Sequence, residues 1–270
     1  MPTLRISDAD AIAYDDTGRG PVIVLIHGSP GTSRAWQPVA ERLAPRFRVI
    51  APNLPGYGAT TRTPGDGPGD SSYAAGLIEA LIAEAGPPAV LTGHSYGGVV
   101  ALMTALRGRV KPRALALFEP VAVPVLAAVG EAEAFAAART LFEGYCAAAD
   151  GGDPDAVRIM VDYWFGPGAL DRMPTPMREF LVAHTGHNVR DVRATFRDPY
   201  SVAGLRGLTM PVLCAVGSRS PAMMGKIVAA IGSHAPHAMI RKLENANHAM
   251  ITTHPEAVAT LIAELADGSA

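Results

Sequence analysis

The sequence has little cysteine. Cys146 and Cys214 are the only two in 270 residues, and they lie far apart in the chain. A disulfide framework is not expected to support the fold, and such sparing use fits a reducing compartment. Cys214 stands in the apolar run Pro211-Val212-Leu213-Cys214-Ala215-Val216, where it reads as a buried small hydrophobe. An excess of one charge is also missing. The 23 Lys and Arg are interspersed with 25 Asp and Glu, for a net charge of −2. Without a basic stripe or an acidic tail, a nucleic-acid partner is not expected.

No apolar run is long enough to span a bilayer. The N-terminal stretch Met1-Pro2-Thr3-Leu4-Arg5-Ile6-Ser7-Asp8 has no signal-peptide core. These absences together lead us to expect a cytoplasmic protein that does not engage a membrane. There is no internal repeat and no Gly-Lys-Ser/Thr phosphate loop. His184 and His187 are close in sequence, but they are expected to face solvent or line a pocket rather than to hold a metal. Nothing in the pattern specifies an oligomeric state.

What is present is a chain of nearly half apolar residues, about the size of one large α/β domain with an insertion. Short apolar runs suggest strands at 3–6, 10–15, 21–26, 47–51, 88–91, 114–118, 211–216 and 238–243. The run Pro21-Val22-Ile23-Val24-Leu25-Ile26 is apolar throughout, as a strand covered on both faces should be. Helical stretches alternate with these strands near 33–44, 71–85, 99–106, 221–231 and from Pro255 onward. That alternation implies right-handed crossovers and a mostly parallel sheet. Residues 64–70 read as a surface loop because proline and glycine dominate them. Between the strands at 114–118 and 211–216 lie about ninety residues of different texture. They are alanine-rich and helical, without a strong strand, and carry the aromatic group Tyr145, Tyr163, Trp164 and Phe165. We read them as a helical insertion at the carboxyl end of the sheet.

One stretch organises the rest: Leu91-Thr92-Gly93-His94-Ser95-Tyr96-Gly97-Gly98, between an expected strand and an expected helix. Gly-x-Ser-x-Gly at such a junction forces its central residue into a strained turn, with glycines where a Cβ would clash. The Ser95 hydroxyl would then project over a helix N-terminus, where free N–H groups favour negative charge. Ligands in open parallel sheets bind beyond the carboxyl ends of the strands. Three other strand ends carry unusual residues: His27-Gly28-Ser29-Pro30, Glu119 and His248. A serine needs a base, and a histidine base needs a carboxylate to fix its tautomer.

With these residues in view, the chain resembles the α/β-hydrolase superfamily, over nearly its whole length apart from the insertion. The matching segments are His27-Gly28-Ser29-Pro30, Gly93-His94-Ser95-Tyr96-Gly97-Gly98 and Asn247-His248-Ala249-Met250. The resemblance implies a mostly parallel eight-stranded sheet flanked by helices, with a helical cap between strands 6 and 7. The core would comprise residues 1–120 and 208–270, and the cap residues 121–207. It implies Ser95 as nucleophile, His248 as base, and the backbone N–H groups of Ser29 and Tyr96 as the oxyanion hole. Pro30 would hold the oxyanion loop, with a cis bond after Ser29 as one way of doing so. His-Gly-x-Pro is similar to the variant in epoxide hydrolases and haloalkane dehalogenases. Their elbow nucleophile is aspartate, so serine here points to acyl transfer instead.

The usual acid position follows the strand after the cap, where Gly217-Ser218-Arg219-Ser220-Pro221 holds no carboxylate. Some capped relatives carry the acid after the strand that follows the elbow helix, and Glu119 stands there. An unpaired charge straight after Leu115-Ala116-Leu117-Phe118 would be costly to bury. Glu119 is therefore the expected acid, with Glu244 and Asp198 as the alternatives.

His27, His94, Tyr163 and Trp164 are candidate substrate contacts. His94 also suits packing within the elbow, and residues 163–165 also suit the interior of the cap. The expected reaction is cleavage of an ester or related acyl bond of a small-to-medium, mostly apolar substrate, without metal or organic cofactor. Other readings keep the fold. One is a lyase, a cyclase or a cofactor-free peroxide-using enzyme in natural-product or aromatic metabolism. Another is cleavage of a carbon–carbon bond beside a ketone. The last is a non-catalytic ligand-binding module.

Overall fold

A computed structural model describes residues 1–61 and 69–268 of the chain. Its sheet has eight strands: β1 (Thr3–Arg5), β2 (Ala11–Thr17), β3 (Val22–Ile26), β4 (Arg48–Pro52), β5 (Val90–His94), β6 (Ala114–Phe118), β7 (Val212–Gly217) and β8 (Ala238–Leu243). Their order across the sheet is β1-β2-β4-β3-β5-β6-β7-β8. The pairs β1/β2 and β2/β4 are antiparallel, and every pair from β4 to β8 is parallel.

Both faces of the parallel part are covered, which explains the unbroken apolar runs. Along β3, Val24 and Ile26 pack toward the helices Ser72–Ala85, Tyr96–Arg107 and Ala222–His234. Ile23 and Leu25 point the other way, toward Trp36, the helix Gln37–Leu43 and the helix Pro255–Asp267. Successive side chains of a strand alternate between faces, so one five-residue strand serves two cores.

Strand register brings the chemistry-bearing ends together. His94 pairs with Phe118, so Ser95 and Glu119 leave the sheet side by side. Phe118 pairs with Ala215, and Gly217 pairs with Leu243, which extends that alignment to the loops after β7 and β8. The Ser95 N–H donates to the Phe118 carbonyl at 3.1 Å, and the Glu119 N–H to that of Ala215 at 3.0 Å.

Between β6 and β7 the chain forms only helices: Pro124–Ala128, Ala132–Asp150, Val157–Phe165, Ala169–Arg172, Thr175–Ala183, Thr185–Thr195 and Val202–Arg206. The elbow helix begins at Tyr96, three residues before the expected start, because the turn at Ser95 leads straight into it. Of the loop expected at 64–70, residues 64–68 lie outside the described residues, and Gly69 and Asp70 are in no regular element. Cys146 and Cys214 are buried and not bonded to each other. Among the described residues, no helix is long and apolar enough to cross a membrane.

Candidate active site

Ser95 sits at the turn between β5 and the helix Tyr96–Arg107 with φ 55° and ψ −122°. A non-glycine residue held there stores about 1–3 kcal/mol of strain. The flanking glycines make the turn feasible. A Cβ on Gly93 would come within 2.1 Å of the Gly97 carbonyl oxygen, and one on Gly97 within 2.2 Å of the Ile26 carbonyl oxygen. Glu119 also has positive φ, at 47°, where β6 ends.

Three side chains then form a continuous path. The Ser95 Oγ lies 3.0 Å from His248 Nε2, and His248 Nδ1 lies 2.6 Å from Glu119 Oε2. An ionised carboxylate can only accept, so Nδ1 carries the ring proton and Nε2 is left to accept from the serine hydroxyl. The second carboxylate oxygen, Glu119 Oε1, accepts the Gly217 N–H at 2.7 Å. Burial opposes the charge on Glu119. The hydrogen bond and charge of His248, with the Gly217 N–H, outweigh it and hold the carboxyl below its ordinary value.

Two other histidines of this region, His27 and His94, are buried and bond to backbone groups. The His27 Nδ1–H donates to the Gly28 carbonyl at 2.7 Å, and Nε2 accepts the Leu54 N–H at 2.9 Å, so the ring ties the loop after β3 to the loop after β4. Burial pulls its pKa down to about 4, against a smaller raising effect of the Gly28 bond. His94 Nε2 lies 2.7 Å from the His248 carbonyl oxygen and, facing an acceptor, carries the proton. Burial, then the nearby His248, lowers its pKa to about 3. Both rings are therefore neutral near pH 7, and neither lines the cleft beside Ser95.

Counting the open solvent at its mouth, that cleft has about 380 Å³ of free space. Ser29, Ser95 and Tyr96 form one side of it. Much of the rest is apolar and includes Val121, Val123, Phe142, Met160, Val192 and Phe196. Trp164 also reaches the cleft and stacks on the His248 ring, with centroids 4.0 Å apart and planes at 13°. Tyr163 packs edge-on against Trp164 and does not line the cleft. The bond between Ser29 and Pro30 is cis.

The alternative acids stand elsewhere. Asp198 accepts from the Ser71 N–H and hydroxyl and from Tyr200, and burial raises its pKa to about 7. Glu244 is exposed and pairs with Lys242 at 3.8 Å. His184 and His187 pack against the Tyr57 ring, and Asp191, one turn beyond His187, faces Ser29 and Tyr57. Among the described residues, no group of three His, Cys, Asp or Glu is arranged to hold a metal.

Sequence reasoning missed Tyr57, Asn188 and Asp191. They surround Ser29, and Asn188 and Asp191 also line the cleft. The contacts join residues 28 to 162 positions apart, and no local pattern marks them.

A model of the alpha/beta hydrolase family matches residues 23–261. The chain belongs to that family. This alpha/beta hydrolase is 28% identical over 273 residues to a pimeloyl-[acyl-carrier protein] methyl ester esterase of Xanthomonas campestris pv. campestris, covering 91% of this chain and 94% of that one. It is 39% identical over 106 residues to an uncharacterised protein of Mycobacterium tuberculosis; that match takes in 38% of this chain and 31% of the relative's length. Among solved structures it is similar to an alpha/beta hydrolase from Sphaerobacter thermophilus DSM 20745, with a TM-score of 0.76 and 26% identity over 98% of this chain and 99% of that one.

Proposed function

We propose that this hydrolase cleaves an ester or related acyl bond through an acyl-enzyme on Ser95. The observation that carries the reading is the unbroken path from Ser95 Oγ through His248 to Glu119, with its serine end in the cleft. His248 takes the hydroxyl proton as Ser95 Oγ bonds to the acyl carbon. The tetrahedral oxyanion is held by the backbone N–H groups of Ser29 and Tyr96, each worth about 3 kcal/mol in such sites. His248 returns the proton to the departing alcohol oxygen as the ester bond breaks. Water, giving a proton to His248, then attacks the acyl carbon, and the Ser95 hydroxyl reforms as the acid leaves. Glu119 keeps the proton of His248 on Nδ1 and stabilises the transient cation.

The substrate is a small-to-medium, mostly apolar molecule, in keeping with Val121, Val123, Phe142, Met160, Val192 and Phe196 around the cleft. The esterase named among the relatives supports acyl chemistry. Sparing cysteine use supports a cytoplasmic setting. The test is turnover of p-nitrophenyl esters of increasing acyl length by the wild type and by Ser95→Ala. The wild type hydrolyses at least the shorter esters, and Ser95→Ala loses activity on the order of a millionfold. Equal rates in the two proteins would contradict the mechanism.

A further inference from the structure

We propose that Asn188 and Asp191, from the helix Thr185–Thr195, are positioning residues that set the Ser29 N–H at its oxyanion position. The inference rests on the acyl-transfer reading above. Ser29 stands on the loop after β3, and the chain fixes it from two directions. The Asn188 side-chain amide donates to the Ser29 carbonyl at 3.0 Å and to the Ser29 hydroxyl at 2.8 Å. The Ser29 hydroxyl donates to Asp191 Oδ2 at 2.7 Å and lies 2.7 Å from the Tyr57 hydroxyl. Tyr57 in turn donates to the same Asp191 oxygen at 2.8 Å.

Each member of this knot is itself held. The Tyr145 hydroxyl donates to Asn188 Oδ1 at 2.8 Å, which fixes which end of the amide faces Ser29. Tyr57 is fully buried, with His184 stacked on its ring and His187 edge-on to it. Asp191 is 2% exposed and Asn188 7%. Charge-assisted bonds in so dry a setting are short and strong.

The consequence is geometric. Ser29 cannot rotate its carbonyl plane or its side chain without breaking the contact at its carbonyl or those at its hydroxyl. Its own N–H, the oxyanion donor, is on the same Cα and in the Gly28–Ser29 peptide plane, whose carbonyl accepts the His27 Nδ1–H at 2.7 Å. Misplacing a catalytic group by about 1 Å costs on the order of a hundredfold in rate. The clamp comes from residues 159 and 162 positions away in sequence, in the helical insertion. The insertion thus contributes to the oxyanion hole while touching no reacting atom.

The experiment measures kcat and KM on a p-nitrophenyl ester for wild type, Asn188→Ala, Ser29→Ala and the double variant. It adds the affinity of each for a trifluoromethyl ketone, which forms a tetrahedral adduct with the serine. Asn188→Ala is expected to lower kcat by about tenfold to a hundredfold, with KM within about twofold. The ketone should weaken by a similar factor, which a loss of folded protein alone would not produce. The double variant should be worse than Asn188→Ala, because it also releases the hydroxyl that Asp191 still holds in the single variant. Asp191→Asn, which keeps an acceptor, should retain more activity than Asp191→Ala.

Unchanged kcat in Asn188→Ala, or a loss confined to KM, would overturn the proposal. Should Asn188→Ala fail to fold, Ser29→Ala decides. It keeps the N–H and removes only the hydroxyl. Lowered kcat with matching ketone loss supports the clamp, and unchanged values overturn it. A wild type inert toward every ester and toward the ketone would overturn the acyl-transfer reading itself. An active wild type with unaffected variants would overturn this inference alone.

Discussion

The carboxyl edge of the sheet and the helical insertion face each other across one cleft, but they are held in different ways. The elbow helix Tyr96–Arg107 buries ten of its twelve residues, and every residue of β5 and β6 is buried. The insertion helix Thr175–Ala183 buries none of its nine. Apart from what it packs against the main core, the insertion has a private cluster of only four buried residues, Val157, Val161, Ala169 and Leu170. On the sheet side, backbone register determines where Ser95, Glu119 and Gly217 stand. On the insertion side, position depends on side chains buried in the main core, such as Phe142, Tyr145 and Met160, and on contacts such as Trp164 on His248 and Asn188 on Ser29. The difference separates the two tasks. The sheet edge carries the hydrogen-bonded path from Ser95 through His248 to Glu119, and the insertion lines much of the cleft beside it.

If that division holds, the largest loss comes from the sheet edge. Glu119→Gln keeps the shape but offers one acceptor where two donors, Gly217 N–H and His248 Nδ1–H, need one each. We expect kcat/KM on an activated ester to fall by about 10²- to 10⁴-fold. Near-normal rates would remove Glu119 from the path. A smaller and different effect is expected from the insertion wall. Phe196→Ala should shift the preferred acyl chain toward longer esters by about tenfold to a hundredfold in relative kcat/KM. The rate of covalent labelling of Ser95 should change only a few-fold. A uniform loss across all chain lengths would break the division.

The smallest effect concerns acid. His27 and His94 have folded pKa values of about 4 and about 3, below the ordinary 6.5. The unfolded chain therefore binds protons that the folded chain refuses as pH falls below 6.5. The stability these neutral rings contribute is present above that value and is lost progressively toward the folded values. Between pH 7 and 5 the melting temperature should drop, and His94→Gln, which keeps a donor for the His248 carbonyl, should drop about 3–6 °C less. Identical slopes would mean that the buried rings do not set the acid response.

Much of the sheet side was legible in the sequence. A strand covered on both faces must be apolar throughout, so Ala114-Leu115-Ala116-Leu117-Phe118 announced itself, and a charge straight after it demanded a partner. The resemblance then named the partner, and the geometry brings Glu119 and His248 within 2.6 Å. His27 and His94 were harder to read. A histidine near a site reads equally as substrate contact or as brace, and the choice depends on which backbone groups face its two nitrogens. Those groups come from other loops, at Leu54 for His27 and at His248 for His94. The insertion was least legible. Asn188 and Asp191 look like ordinary polar residues of a helix, and only a fold that closes 159 and 162 residues of separation turns them onto Ser29.

The central claim is that Ser95 is an activated nucleophile. The most direct measurement is the intact mass of the wild type and of Ser95→Ala after treatment with a fluorophosphonate. One adduct per wild-type chain is expected, mapping to the peptide that contains Ser95, and none in Ser95→Ala. An unlabelled wild type, or an adduct that persists in Ser95→Ala, would contradict it.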